Sequence, residues 1–238
     1  MKYCALSEKG KRQHNEDAVF VPMHSEVALA VVADGMGGHK AGDTASSMAL
    51  EVIVSEIKRG GASPEQLIER AVDAANAAVY AASKSNSECR GMGTTAVLAM
   101  PFMSYYVAAN IGDSRIYHYH DGAVVQVSRD HSYVQELVDS GYITKAQAAV
   151  HPRRNVITRA IGTSSKETAD IFRREWQPGD MLLLCTDGLH SALEDMDIAR
   201  ILSEESDLEE ACKRLVSEAL YGGSTDNVSV ALILNEVL

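Results

Sequence analysis

The stretch VALAVVADG, residues 27–35, decides how the rest of this chain is read. Apolar residues run unbroken from Val27 to Ala33, and then come a carboxylate, Asp34, and a glycine, Gly35. A strand with one wet face alternates apolar and polar side chains, whereas an unbroken run marks a strand covered on both faces. DMLLLCTDG, residues 180–188, repeats the pattern, with Asp187 and Gly188 after the apolar run. Two such strands predict a sandwich of two sheets, each covered on its outer side.

Working outward, strands are expected at 2–7, 18–22 and 27–33. A helix is expected over 43–58, where Ala45, Met48, Ala49, Val52, Ile53 and Ile57 share one face. A second helix opens at SPEQ. Ser63 is its cap, Pro64 suits the first turn, and Gln66 closes a capping box. Its apolar face is rich in small side chains: Leu67, Ala71, Val72, Ala75, Ala78, Val79 and Ala82. Between 94 and 127 the segments TTAVLAM, YYVAANI, SRIYHYH and AVVQVS read as a meander, with Asp121-Gly122 as a two-residue hairpin turn. A polar helical region is expected at 132–155, strands at 168–175 and 181–186, helices at 195–203 and 207–221, and a closing strand at 227–235. Strands and helices that come in runs indicate α+β, with helices on the outer faces of the sandwich.

Composition narrows the function classes. The 238 residues are 46% hydrophobic and 23% charged with a net charge of -11, which suits a globular chain and argues against nucleic acid or an anionic membrane as partner. Cys4, Cys89, Cys185 and Cys212 form no CxxC pair, so a reducing cytosolic setting is expected and a zinc site is not. No apolar run is long enough to span a bilayer, and the amino terminus has no apolar signal region.

The carboxylates recur where strands begin or end: Asp34, Asp187, Asp226 before the closing strand, and Glu16 and Asp17 before another. Gathered together they repel one another and are costly to desolvate, and a bound cation relieves both. An all-oxygen set favours Mg2+ or Mn2+. The glycines after Asp34 let the backbone turn and offer the Gly35 carbonyl. The loop DGMGGHKAG lacks GxGxxG spacing and a P-loop lysine, so it does not read as a phosphate cradle. No cysteine is followed six residues later by arginine, so a cysteine-phosphatase loop is absent.

RQHNED (12–17), ADGMGGHKAG (33–42), GMGTT (91–95), IGDSRIY (111–117), RDHS (129–132), RNVITRAIG (154–162), CTDGL (185–189) and STDNVS (224–229) together resemble the metal-dependent, type-2C serine/threonine protein phosphatases, the PPM family, and particularly its compact bacterial members. The resemblance spans nearly the whole chain and implies a four-layer αββα sandwich of two mainly antiparallel sheets, one catalytic domain over 1–238, with a flap at about 133–155. It implies that Asp34 bridges two metal ions, Mn2+ or Mg2+, that the Gly35 carbonyl binds the second, and that Asp187 and Asp226 complete the first. Glu16 and Asp17 would hold metal-bound waters, Asp113 would help a third, weaker ion, and Arg12 would hold the substrate phosphate. The implied reaction is direct hydrolysis of phosphoserine and phosphothreonine by an activated water, in a cytoplasmic, monomeric bacterial protein opposing a Ser/Thr kinase. Ser191 stands where many relatives carry an acidic residue, which weakens the third site, and Met36 stands where eukaryotic members carry a histidine. In its place, metal-bound water or the nearby His39 would protonate the leaving group.

Structural roles stand beside these. Thr94 and Thr95 start a strand, Ser114 and Arg115 brace Asp113, and Asp130 caps the helix near Ser132. Arg159 either neutralises a carboxylate or touches substrate, and Arg153-Arg154 in the flap selects phosphoproteins or is simply solvated. The rival class is a non-catalytic binding module on the same sandwich. Retention of Asp34, Asp187, Asp226 and Arg12 favours the enzyme. A hydrolase of small phosphate esters would share the site.

Overall fold

A computed structural model describes residues 1–23, 27–37, 41–85 and 87–236. The chain begins with β1 (Lys2–Glu8), β2 (Asp17–Phe20) and β3 (Ala30–Met36), then α1 (Ala41–Arg59) and α2 (Pro64–Ser85). After a short 3-10 turn come β4 (Gly93–Thr94), β5 (Ala96–Pro101), β6 (Tyr105–Ile111), β7 (Arg115–His120) and β8 (Ala123–Gln126). Two short helices, α3 (Tyr133–Asp139) and α4 (Lys145–Ala149), lead to β9 (Asp170–Glu175) and β10 (Met181–Cys185). The chain closes with α5 (Asp187–His190), α6 (Asp195–Glu204), α7 (Leu208–Tyr221) and β11 (Val228–Leu234).

One sheet has the order β1-β11-β10-β7-β8; the other has β2-β3-β5-β6-β9, with β4 pairing β3. Every pairing is antiparallel. The period-2 geometry of a strand explains the unbroken apolar runs directly. In β3, Ala30 and Val32 point between the sheets, while Val31 packs beneath the helices. In β10, Leu182 and Leu184 point between the sheets, while Met181, Leu183 and Cys185 face the other way. There they meet Ile198, Ile201 and Leu202 of α6 and Leu215 and Val216 of α7. α1 and α2 cover the other sheet through Ala45, Ala49, Ile53, Ala71, Ala75 and Val79. Helix, sheet, sheet, helix is the expected αββα layering.

The predicted elements form, and Ser63 and Gln66 exchange the two capping-box hydrogen bonds at 3.2 and 3.3 Å. Asp121 and Gly122 take φ of 46° and 81° and turn β7 into β8. Three expectations are corrected. The segments at 94–127 are not one meander: β5 and β6 pair in one sheet, β7 and β8 in the other. The chain crosses between sheets at Gly112, whose φ of 110° suits a residue without a side chain. β3 does not end before Asp34 but continues to Met36, because Gly35 and Met36 pair with Thr94 and Gly93. Ser132, not Asp130, caps α3, accepting from the Gln135 N–H at 3.3 Å.

Candidate functional site

The carboxylates meet at one end of the sandwich because strands from both sheets bring them there. Asp17 and Asp34 are direct cross-strand partners at the ends of β2 and β3. Asp187 opens α5 just beyond β10, Asp226 lies just before β11, and Asp113 lies where the chain steps from β6 to β7.

The backbone around Asp34 is clamped. Its N–H donates to the Thr95 hydroxyl at 3.0 Å, and its carbonyl accepts from the Thr94 hydroxyl at 2.8 Å and the Thr95 N–H at 2.9 Å. Thr94 and Thr95 thus satisfy backbone groups beside Asp34. The next residue has to be glycine. A Cβ at Gly35 would overlap the Gly42 carbonyl oxygen and crowd the Glu16 carbonyl, and one at Gly42 would stand 2.9 Å from the Gly35 carbonyl. The segments carrying Glu16, Gly35 and Gly42 therefore converge in a cradle that no side chain could share.

Asp17 is buried and accepts hydrogen bonds from the Ser229 hydroxyl at 2.6 Å and the Thr186 hydroxyl at 3.0 Å. Burial nonetheless pushes its carboxyl up to about 7, and the Asp187 and Asp226 charges add to the rise. Asp113 is also pushed up to about 7, by burial first and then by Asp187 and Asp130. Asp187 rises to about 6 through burial and the Asp226 charge, with Arg12 and Arg115 opposing. Asp34 is raised well above the usual carboxylate range by burial and by Asp17, Asp187, Asp113 and Asp226 together. Burial also raises Glu16, against the pull of Arg12.

This set suits a hard divalent cation. Among the described residues, the buried Asp187 Oδ1 has no hydrogen-bond partner, and the donors are all oxygen. Among the described residues no ready cluster of three ligating side chains is formed. Asp226 instead accepts from Arg12 Nη2 at 2.6 Å. The guanidinium supplies the positive charge that the carboxylates otherwise lack.

Asn227 is a residue that the sequence reading passed over. Its Oδ1 accepts from the Glu16 N–H at 2.8 Å, and its Nδ2 donates to the Lys9 carbonyl at 2.8 Å and the His14 carbonyl at 2.9 Å. One side chain thereby pins the loop that carries Arg12 and Glu16 beside Asp226. Thr186 and Ser229, which hold Asp17, and Ser46, whose hydroxyl donates to the Glu16 carbonyl at 2.6 Å, were also missed. Thr186, Asn227 and Ser229 all lie inside CTDGL and STDNVS, so their signal was adjacency to an acidic motif residue.

Other expected roles are reassigned. Ser114 and Arg115 do not brace the Asp113 carboxylate. The Ser114 hydroxyl bonds Thr95 at 2.7 Å, and Arg115 forms a forked pair with Asp130, Nη2 to Oδ2 at 2.8 Å. That pair is Asp130's role, with Gln126 Nε2 also donating to it at 2.9 Å. Arg159 donates to Asp170 at 3.0 Å. His190 donates from Nε2 to the Asp113 carbonyl at 3.0 Å, and burial drives its ring down to about 4, so it stays neutral. Ser191 caps the C-terminus of α5 and is exposed. In the expected flap, Arg153 lies 3.9 Å from the centre of the Tyr133 ring. His39 lies outside the described residues. Among the described residues no helix is long and apolar enough to cross a membrane.

Known proteins share this fold. The family described as Protein phosphatase 2C matches residues 7–220. The serine/threonine phosphatase stp of Listeria monocytogenes serotype 4b (strain F2365) is 36% identical over 235 residues, covering 95% of this chain and 93% of that protein. The serine/threonine protein phosphatase PstP of Mycobacterium tuberculosis (strain ATCC 25618 / H37Rv) is 36% identical over 235 residues, 98% of this chain and 44% of that protein. The crystal structure of the Mycobacterium tuberculosis serine/threonine phosphatase PstP/Ppp superposes with a TM-score of 0.91 at 35% identity, covering 99% of both chains. The catalytic domain of PstP in complex with 2 manganese ions superposes with a TM-score of 0.86 at 34% identity, over 97% of this chain and 96% of that one. With its layers, its gathered carboxylates and a family match running through both sheets, the chain belongs to the protein phosphatase 2C family.

Proposed function

We propose that this protein removes phosphate from phosphoserine and phosphothreonine on other proteins, with a pair of divalent cations, Mn2+ or Mg2+, held by Asp34, the Gly35 carbonyl, Asp187 and Asp226. The observation that carries this reading is the convergence of mutually repelling carboxylates, with an Asp187 oxygen unpartnered among the described residues, at one end of a phosphatase-family sandwich. Such a cation pair lowers the pKa of water and offsets the charge of a phosphoryl group.

The residues of the chain do the rest. The Arg12 side chain is more than half exposed, and its fork is free to exchange Asp226 for two oxygens of an incoming phosphate monoester. Asp17, raised to about 7 by burial, and Glu16, also raised by burial, offer carboxyl oxygens that accept hydrogen bonds from the attacking water and steer it. Ser229 and Thr186 hold Asp17 in place. The new P–O bond forms opposite the serine or threonine oxygen, which leaves with a proton as the free side-chain hydroxyl. Asp113 adds a weaker third cation site, and the segment 133–155, with exposed Arg153 and Arg154, contributes to the choice of phosphoprotein. The substrates are made by protein Ser/Thr kinases, the reaction class that forms these esters.

The test is hydrolysis of a phosphothreonine peptide with Mn2+ and with chelator, comparing wild type with Asp187→Ala and Asp34→Asn. Turnover is expected only in wild type with metal. Equal turnover in chelator would contradict the proposal. No turnover under any condition, with the fold intact, would favour a binding module.

A further inference from the structure

Two thiols outside the carboxylate cluster meet at the edge of the sandwich. Cys4 lies on β1, the outermost strand of its sheet, and Cys212 lies on α7, which packs over that sheet. Cys4 pairs in register with Leu232 and packs against the buried cluster that holds Leu232 and Cys212, and the two thiols are near enough to perturb one another. Both line a groove of about 850 Å3, with Tyr3, Leu6, Glu209 and Lys213 among its walls. Cys4 is half-buried and Cys212 is buried against Val216 and Leu232. The other two cysteines are placed differently. Cys185 is buried in the core, where desolvation pushes its thiol up to about 12, and Cys89 sits in the 3-10 turn after α2; neither lines the groove.

We propose that Cys4 and Cys212 are a redox pair, oxidised by hydrogen peroxide to a disulfide that ties the edge strand β1 to helix α7. The groove admits peroxide to Cys4, and the second thiol lines the same groove. The Cys4 thiolate attacks one peroxide oxygen, the O–O bond breaks, and the released hydroxide takes a proton and leaves as water. The Cys212 sulfur then attacks the Cys4 sulfenic acid. The S–O bond breaks, and hydroxide leaves with the Cys212 proton as a second water. The two sulfurs together lose two electrons to the peroxide. The neighbouring Cys212 thiol favours the Cys4 thiolate. Burial and the Glu209 and Asp207 carboxylates oppose it, and Lys213 assists. The nearby Cys4 and burial keep Cys212 protonated, so it carries the proton that the second step releases. The cross-link joins positions far apart in sequence, the case in which restricting the unfolded chain stabilises most.

The experiment treats the full chain with peroxide, blocks the remaining thiols and maps the peptides by mass spectrometry. The expected result is one joined peptide pair, Cys4 to Cys212, reversed by dithiothreitol, with two of the four thiols still titratable. The thermal midpoint of the oxidised wild type should rise by roughly 5 °C. Cys4→Ser and Cys212→Ala should each abolish both the joined peptide and the rise, and either variant suffices if the other does not fold. Retention of all four thiols, sulfinic acid at Cys4 without joining, or a bridge to Cys89 or Cys185 would overturn the proposal.

Discussion

Asp180 and Asp187 stand at opposite ends of the same strand, β10, and behave in opposite ways. Burial alone would raise both. Asp180 nevertheless sits below its ordinary value, because the Gln177 N–H donates to it at 2.9 Å and His118 and His120 bond its two oxygens at 3.0 and 2.7 Å. Asp187 rises to about 6, with Asp226 beside it and one buried oxygen unpartnered among the described residues. One end of the sandwich satisfies its carboxylate with donors; the other collects carboxylates and leaves the excess charge for something not in the chain. Such uncompensated charge is costly to the fold and is the mark of a ligand site.

The first way to break this comparison is to remove the carboxylates at the charged end. Asp34→Asn and Asp187→Ala should each lower phosphopeptide turnover by about 10^3-fold or more, the scale of losing an electrostatic anchor in a reacting site. Steady-state kinetics with saturating Mn2+ reads it, and residual activity within tenfold of wild type would show that the charge clustering is structural. Next in size is Arg12→Ala, expected to lower kcat/KM by about 10^2-fold, with Arg12→Lys restoring only part, because a point charge cannot reproduce a forked contact. Full rescue by lysine would mean that Arg12 serves only to neutralise Asp226.

Asn227→Ala tests the scaffold beneath the charged end. Losing the three hydrogen bonds that pin the Lys9–Glu16 loop should lower kcat/KM by roughly tenfold through misplacement of Arg12 and Glu16. Unchanged kinetics would place the loop's order elsewhere. At the satisfied end, Asp180→Asn should leave turnover unchanged and reduce unfolding free energy by about 2 kcal/mol, the scale of hydrogen bonds to a charged group. Chemical denaturation measures it.

The two ends should also respond oppositely to pH in metal-free protein. Asp17, Asp113 and Asp187 are raised to about 7, 7 and 6, so the stability they contribute is present below the unfolded carboxylate value and is lost as pH rises through 6 to 7. Asp180 is lowered, so its contribution is present above the unfolded value and fades only as pH falls through its own. Metal-free wild type should therefore denature at lower urea at pH 7.5 than at pH 5, and Mn2+ should reverse the order. Asp34→Asn should shrink the difference. No pH dependence over this range would mean that the carboxylates are compensated within the chain.

Much of this was legible in the residues. VALAVVA and MLLLC announced strands covered on both faces, and the eight motifs carried the family. The misreadings share a cause. The run at 94–127 looked like one meander because periodicity marks a strand without naming its partner. Asp130 looked like a cap because it stands near Ser132, yet Arg115 holds it across the sheet edge. Asn227 went unremarked because its partners, Lys9, His14 and Glu16, lie at the far end of the sequence.

The sequence by itself determined the layers and the residue types of the site, since burial period and carboxylate-glycine junctions are local properties of a chain. Only the tertiary structure decided that Asp17, Asp34, Asp113, Asp187 and Asp226 share one end of the molecule, which of them are raised, and that Arg12 rests on Asp226. Charge and desolvation depend on distances through space, and strands from two sheets set those distances where no local pattern can.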